Sequence, residues 1–271
     1  MGGAVLSFCA MAIAARELLR HMGPFEILLM RSLAMLLMVL GMLARASAGM
    51  RTRRLGLHVW RNLFHFGGQY AWVYSLGALP LATVFAIEFT MPVWTAILAA
   101  LILGERLNRG RLVMLALGIA GVLVILRPGF AFIHPAALVM IAGALAYAAT
   151  MIATKRLSAT DAPLTVLFWM SVVQTPLALA TALPQWVAPV AADAPWIVAI
   201  GAGSFSAHYC MTRALKIVDA TAVIPIDFLR LPLIAVVGAV FYAEPFDPFI
   251  LIGAAVIFAG TYYSLSRERG V

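Results

Sequence analysis

The sequence predicts an all-α integral membrane protein of about ten transmembrane helices in two inverted five-helix repeats. Three observations lead there. The chain of 271 residues is 64% hydrophobic and 11% charged, with a mean hydropathy of +1.00, where an ordinary soluble domain is about half apolar and about a quarter charged. Apolar runs of roughly 17 to 25 residues, the helical length that crosses a hydrocarbon core, recur from end to end. Residues 1–130 also resemble residues 131–271 at an offset of 139, the distance from Pro24 to Pro163.

The runs fall near 4–19, 25–44, 62–80, 82–104, 111–126, 135–154, 163–183, 196–212, 220–242 and 248–264. The first could pass for a signal peptide, with Ala12-Ile13-Ala14 as a cleavage site, but nothing basic precedes its apolar stretch, so it reads as a first transmembrane helix. Gly23-Pro24-Phe25 opens the second run, whose Arg31 reads as a snorkelling side chain. On the third, His65, Gln69 and Trp72 share one helical face. The fourth contains FAIEFTMPVW, which places Glu88 and Pro92 inside an apolar segment. The fifth is apolar after Arg111. Tyr147 lies in the sixth. Ala162-Pro163-Leu164 opens the seventh, which holds Trp169. The eighth repeats the polar face of the third with Ser204 and His208, followed by Tyr209 and by Arg213, a second snorkelling candidate. Asp227, Arg230 and Pro232 sit in the ninth, and the tenth is again apolar. Cys9 and Cys210 fall inside runs and read as small buried residues rather than a disulfide framework.

The offset aligns uncommon intramembrane residues: Gln69-Tyr70 with His208-Tyr209, and Ile87-Glu88-Phe89 with Ile226-Asp227-Phe228. Glu105 also meets Glu244, and Pro92 meets Pro232 after a slip of one. Lipid-facing segments that resemble one another by chance would not align such groups. Five spans per copy is an odd number, so the two copies enter the membrane in opposite senses, related by a pseudo-two-fold axis in its plane.

Charge placement sets the expected orientation. If the first helix runs outward, Arg45, Arg51, Arg53, Arg54, Arg61, Arg106, Arg109, Arg111, Lys155, Arg156, Arg213, Lys216, Arg267 and Arg269 fall inside, and only Arg16, Arg20 and Arg127 fall outside. The positive-inside rule then puts both termini in the cytoplasm. The net charge of +8 records topology, and a nucleic-acid role is set aside because the basic residues form no binding stripe.

A carboxylate at the middle of a spanning helix costs roughly 2.5 to 3.5 kcal/mol on insertion scales, so Glu88 and its counterpart Asp227 mark a candidate site. Glu88 is expected to take up and release a proton, with protons as the candidate coupling ion, and Asp227 to be held ionised by Arg230. Pro92 and Pro232 are expected hinges. Gln69, His208, His65 and Trp72 are expected to line the same cavity, with Tyr147, Trp169 and Tyr209 as aromatic walls. The competing reading of each histidine and aromatic is packing or interface anchoring. No HExxH motif, cysteine-histidine metal cluster or Walker glycine loop is present, so no metal and no cofactor is expected. Ser204 and His208 look like a nucleophile and base, but on one helix they lack an oxyanion hole; the nearby Gly201 and Gly203 read as close-packing positions.

These residues resemble the EamA-type transporters of the drug/metabolite transporter superfamily. The resemblance covers essentially the whole chain and is carried by Pro24 with Arg31, by ATVFAIEFTMPVWTAILAALILGERL, by LGIAGVLVILRPG, and by VDATAVIPIDFLRLPLIAVVGAVFYAEPFDPFILIGAAVIFAG. Met170, at the repeat of Arg31, departs from the pattern. The resemblance implies a bacterial inner-membrane secondary transporter with a cavity between the halves. It would move a small polar or zwitterionic metabolite, an amino acid or related compound, by alternating access. The alternatives are import of S-adenosylmethionine or riboflavin and, in other classes, a membrane-embedded enzyme or a non-transporting receptor.

Overall fold

The computed structural model describes residues 2–44, 50–103, 108–128, 133–217 and 227–268, leaving out the side chains of 103, 212, 214–217 and 268. Arg45, Glu105, Arg106, Arg269 and the first part of the ninth predicted span lie outside them.

Among the described residues the protein is all-helical. In chain order the helices are α1 (Gly2–Leu18), α2 (Pro24–Leu43), α3 (Leu55–Ala78), α4 (Leu81–Glu88), α5 (Met91–Leu103), α6 (Arg109–Leu126), α7 (Pro135–Ser158), α8 (Pro163–Ala182), α9 (Ala194–Ile217), α10 (Arg230–Tyr242) and α11 (Pro248–Glu268). Starts follow local chemistry. Proline occupies the first position of α2, α7 and α8, where its missing N–H costs nothing. The backbone N–H of Gly23 donates to the Glu26 carboxylate at 2.7 Å, and the Asn108 side chain accepts from the Arg111 N–H at 2.9 Å to begin α6.

Among the described residues six stretches are long and apolar enough to cross a membrane: Pro24–Leu43, Leu81–Ile102, Arg109–Leu126, Pro135–Ser158, Pro163–Gln185 and Pro248–Arg267. Ten runs are expected from the sequence. The difference has a physical origin in α3 and α9, which at 24 residues each are long enough but carry polar groups turned inward: Arg61, Asn62, His65 and Gln69 on α3, and Ser204 on α9, are all buried. α10 is a 13-residue half-helix.

The fourth predicted span is two helices. α4 ends at Glu88 and α5 begins at Met91, with Phe89 and Thr90 in a turn between them. Pro92, in the first turn of α5, has no N–H to offer the carbonyl of Glu88 one turn back. The Thr90 hydroxyl donates to the carbonyl of Ile87 at 2.7 Å within the turn. A matching turn at Phe228 and Leu229 precedes α10.

Packing pairs α6 with α11, α3 with α7, α1 with α9, α2 with both α8 and α9, and α4 with α10. The α6–α11 seam brings backbone against backbone: a Cβ on Gly121 would lie 2.6 Å from the carbonyl oxygen of Gly253, and one on Gly253 would lie 2.6 Å from that of Gly121. Only glycine allows two backbones to approach so closely.

Candidate functional site

A cavity of about 160 Å³ lies between the helices, and every element except α6 and α11 contributes to its wall. Along α3, Arg61, His65, Gln69 and Trp72 recur at helical spacing and line one side; Glu88 closes α4 beside them, and Tyr147, His208, Asp227 and Arg230 complete the polar part. Eight of the expected site residues are thus brought together: Glu88, Asp227, Arg230, Gln69, His208, His65, Trp72 and Tyr147. Trp169 and Tyr209 do not line the cavity. Trp169 donates its indole N–H to the carbonyl of Met50 at 3.1 Å, while Tyr209 stacks on Phe205 with centroids 5.7 Å apart.

The ionic centre is Arg230, 4% exposed. Its Nη2 lies 2.6 Å from Asp227 Oδ2 and its Nη1 lies 3.3 Å from Glu88 Oε1. The second Glu88 oxygen accepts from Trp72 Nε1 at 2.9 Å. Glu88 therefore shares the arginine expected for Asp227 alone. The guanidinium carbon also sits 4.4 Å from the Phe8 ring centroid and 5.0 Å from that of Phe89, so aromatic faces wall the cation in.

Two arginines are buried where the sequence suggests exposed cations. Arg31 does not snorkel: it is 2% exposed, and it donates to Ser204 Oγ at 2.6 Å, Gln69 Oε1 at 2.6 Å and Gln174 Oε1 at 2.7 Å. Because arginine only donates, Gln174 must present its amide N–H₂ to His65 Nδ1, 2.8 Å away; any ring proton of His65 then sits on Nε2. Arg61, assigned by sequence to the cytoplasmic charges, is 5% exposed and bonds Thr154 Oγ1 at 2.7 Å and Asn62 Oδ1 at 2.8 Å. One signal for Arg61 was available, its place one turn before His65 on the polar face of α3. Nothing local marks Gln174. Arg213 lies over the Tyr209 ring at 5.8 Å. Met170, opposite Arg31 in the repeat, is packed with Met35, Val39 and Leu167.

At one mouth of the bundle, Asp161 in the α7–α8 loop accepts from His58 Nε2 at 2.6 Å and from Thr52 Oγ1 at 2.7 Å. Burial raises the Asp161 carboxyl, but the hydrogen bonds from His58, Thr52 and Thr160 outweigh it and hold the group below its usual range. His21 and Asp193, 3.2 Å apart, join the α1–α2 and α8–α9 loops.

Comparison with known proteins places this geometry. The model of the EamA-like transporter family matches residues 2–127 and again residues 134–266. The S-adenosylmethionine uptake transporter of Rickettsia prowazekii is 29% identical over 81% of this chain and 75% of its own. The riboflavin transporter of Rhizobium johnstonii is 32% identical over 82% and 74%, and the pseudopaline exporter CntI of Pseudomonas aeruginosa is 24% identical over 98% and 94%. A solved crystal structure superposes with a TM-score of 0.70 at 19% identity, covering 99% of this chain and 96% of its own, which is a likeness of fold alone.

Proposed function

The chain belongs to the EamA-like transporter family, and from that premise we propose that it is a secondary active transporter. It moves a small polar or zwitterionic metabolite across the bacterial inner membrane by alternating access. The observation that carries this reading is the Glu88–Arg230–Asp227 cluster, which both halves of the chain contribute to a cavity inside a membrane bundle. Buried ionisable groups at such a depth usually serve a substrate or ion pathway.

The proposed architecture is two inverted five-helix repeats, residues 1–130 and 131–271, with both termini in the cytoplasm. The double family match supports it. So does the helix pairing: exchanging the halves turns the α3–α7 contact into the α9–α1 contact, and both are present. Glu88 is the proposed coupling carboxylate. On protonation it releases Arg230 to Asp227 alone, and the turns before Pro92 and Pro232 let the half-helices bend.

Substrate chemistry has two readings. The mixed charge of the cavity favours an amino acid or a derivative such as S-adenosylmethionine. The rings of Phe8, Trp72 and Tyr147 along its wall favour a flat heterocycle such as riboflavin, stacked on aromatic faces. Uptake of radiolabelled amino acids, S-adenosylmethionine and riboflavin into proteoliposomes, with and without a proton gradient, tests both. Gradient-stimulated accumulation of one class is expected; no flux of any probe under any gradient would refute the transporter reading. A cysteine in place of Met50 should be labelled only from the cytoplasmic face and one in place of Ala191 only from outside. Labelling of both from the same face refutes the five-plus-five layout.

A further inference from the structure

Among the described residues three arginines line the cavity and two carboxylates do. Arg230 takes both acids. Among the described residues neither Arg31 nor Arg61 has a carboxylate within ion-pair distance. All of their acceptors are neutral: amide oxygens of Gln69, Gln174 and Asn62, and hydroxyls of Ser204 and Thr154. Neutral dipoles solvate a guanidinium but do not cancel its charge. The cavity is therefore electropositive, and a buried cation without a counter-ion is costly.

The two arginines differ in what they leave open. Arg31 has five donors and uses Nη1 and Nη2 three times, while its Nε is buried without a partner. It is enclosed by its acceptors and acts through its field. Arg61 uses Nε and Nη1, and its Nη2 makes no hydrogen bond among the described residues although the side chain lines the cavity. A free guanidinium edge beside open space matches a carboxylate, which arginine binds with a fixed fork.

Resting on the transporter reading, we infer that Arg61 is the contact for a substrate carboxylate, with Arg31 supplying the positive potential behind it, and that the transported molecule is a carboxylate-bearing zwitterion rather than a neutral ring compound. The far end of the cavity agrees. Trp72, which holds Glu88, is 11 residues beyond Arg61 on α3, or about 16 Å along the axis at about 1.5 Å per residue. There Asp227 keeps Oδ1 buried without a partner, an acceptor suited to a cationic group. The two groups therefore form separate anion-seeking and cation-seeking ends of one cavity.

The test is binding, read separately from flux. The purified protein is titrated with S-adenosylmethionine, methionine, methionine methyl ester and riboflavin, following the thermal shift and equilibrium binding of each. The expected result is binding of a free acid with preference over its ester and over riboflavin. In Arg61→Gln that affinity falls by about tenfold or more, the range for a lost charge-assisted hydrogen bond, and Arg61→Lys recovers part of it. Either ester and acid binding equally, or Arg61→Gln keeping the preference, or riboflavin alone binding overturns the inference, as does no binding by any probe. If Arg61→Gln does not fold, an acid affinity in folded Arg61→Lys that is weaker than the parent's, the charge being kept but the fork lost, supports the inference, and unchanged affinity there overturns it. Acid-selective binding without any flux in proteoliposomes would sink the transporter reading and leave the carboxylate site standing.

Discussion

The rings of Phe89 and Phe228 stack with centroids 4.0 Å apart and planes inclined by 15°. They follow Glu88 and Asp227 and occupy equivalent places in the two halves, so the two helix breaks meet ring to ring. We predict that Phe89→Ala, at a buried ring, destabilises the protein by about 3 kcal/mol and that Phe228→Ala, at a partly buried one, costs less. A double-mutant cycle should return a coupling of about 0.5 to 1.5 kcal/mol. Additive losses in thermal denaturation would show that the two breaks are held independently.

Arg230 serves two acids, which ranks the effects of removing each partner. Arg230→Gln leaves two partly buried carboxylates without a cation and should be strongly destabilising, toward the about 3 to 5 kcal/mol of a fully buried pair. Glu88→Gln leaves the Arg230–Asp227 pair intact and should cost less. In proteoliposomes Glu88→Gln should abolish gradient-driven accumulation and spare exchange at equal concentrations, whereas Asp227→Asn should impair both. Normal accumulation by Glu88→Gln makes the glutamate structural.

Gln69 and His208 face the cavity from α3 and α9. Gln69→Ala also strips an acceptor from Arg31, so its effect should exceed that of a single substrate contact. Each alanine is predicted to weaken substrate binding by about 1 to 3 kcal/mol, with expression retained. Unchanged dissociation constants in both would return these residues to packing.

Asp161 gives an acid-dependent link. Its carboxyl is held below the usual range once folded, so the stabilisation is fully present above the unfolded carboxylate value of about 4 and is lost as pH falls through the lower folded value. Asp161→Asn should lower stability at neutral pH by about 1 to 3 kcal/mol and flatten the acid limb of the melting profile. Parallel acid limbs for parent and variant would show that another group carries the sensitivity.

Some of this could be read directly from residues. Length and apolarity mark α2, α6 and α11 to within a few residues, because lipid permits little else there. Pro92 signals an interruption in the fourth span, but not that the chain turns at Phe89 and Thr90 before the proline is reached; that depends on the partner turn at Phe228. Arg31 and Arg61 were opaque for a different reason. A cation near the end of an apolar run looks the same whether it snorkels or turns inward, and what turns these two inward are acceptors far away in sequence, Ser204 and Gln174 for the one and Thr154 for the other. Trp169 and Tyr209 carry the same ambiguity, since an aromatic side chain suits a cavity wall, a lipid interface or a packed loop equally well.

The contact of Gly121 with Gly253 sets where such a machine is able to pivot. The two backbones meet directly there, with Ile257 and Ile125 packed beside the glycines, and neither α6 nor α11 contributes a residue to the cavity wall. Fulcrum and load are therefore separate parts. Under the proposed alternating access, a rotation of a few degrees about this seam would grow into a displacement at the cavity in proportion to the lever arm, and the cargo site could be re-lettered without disturbing the bearing on which it turns.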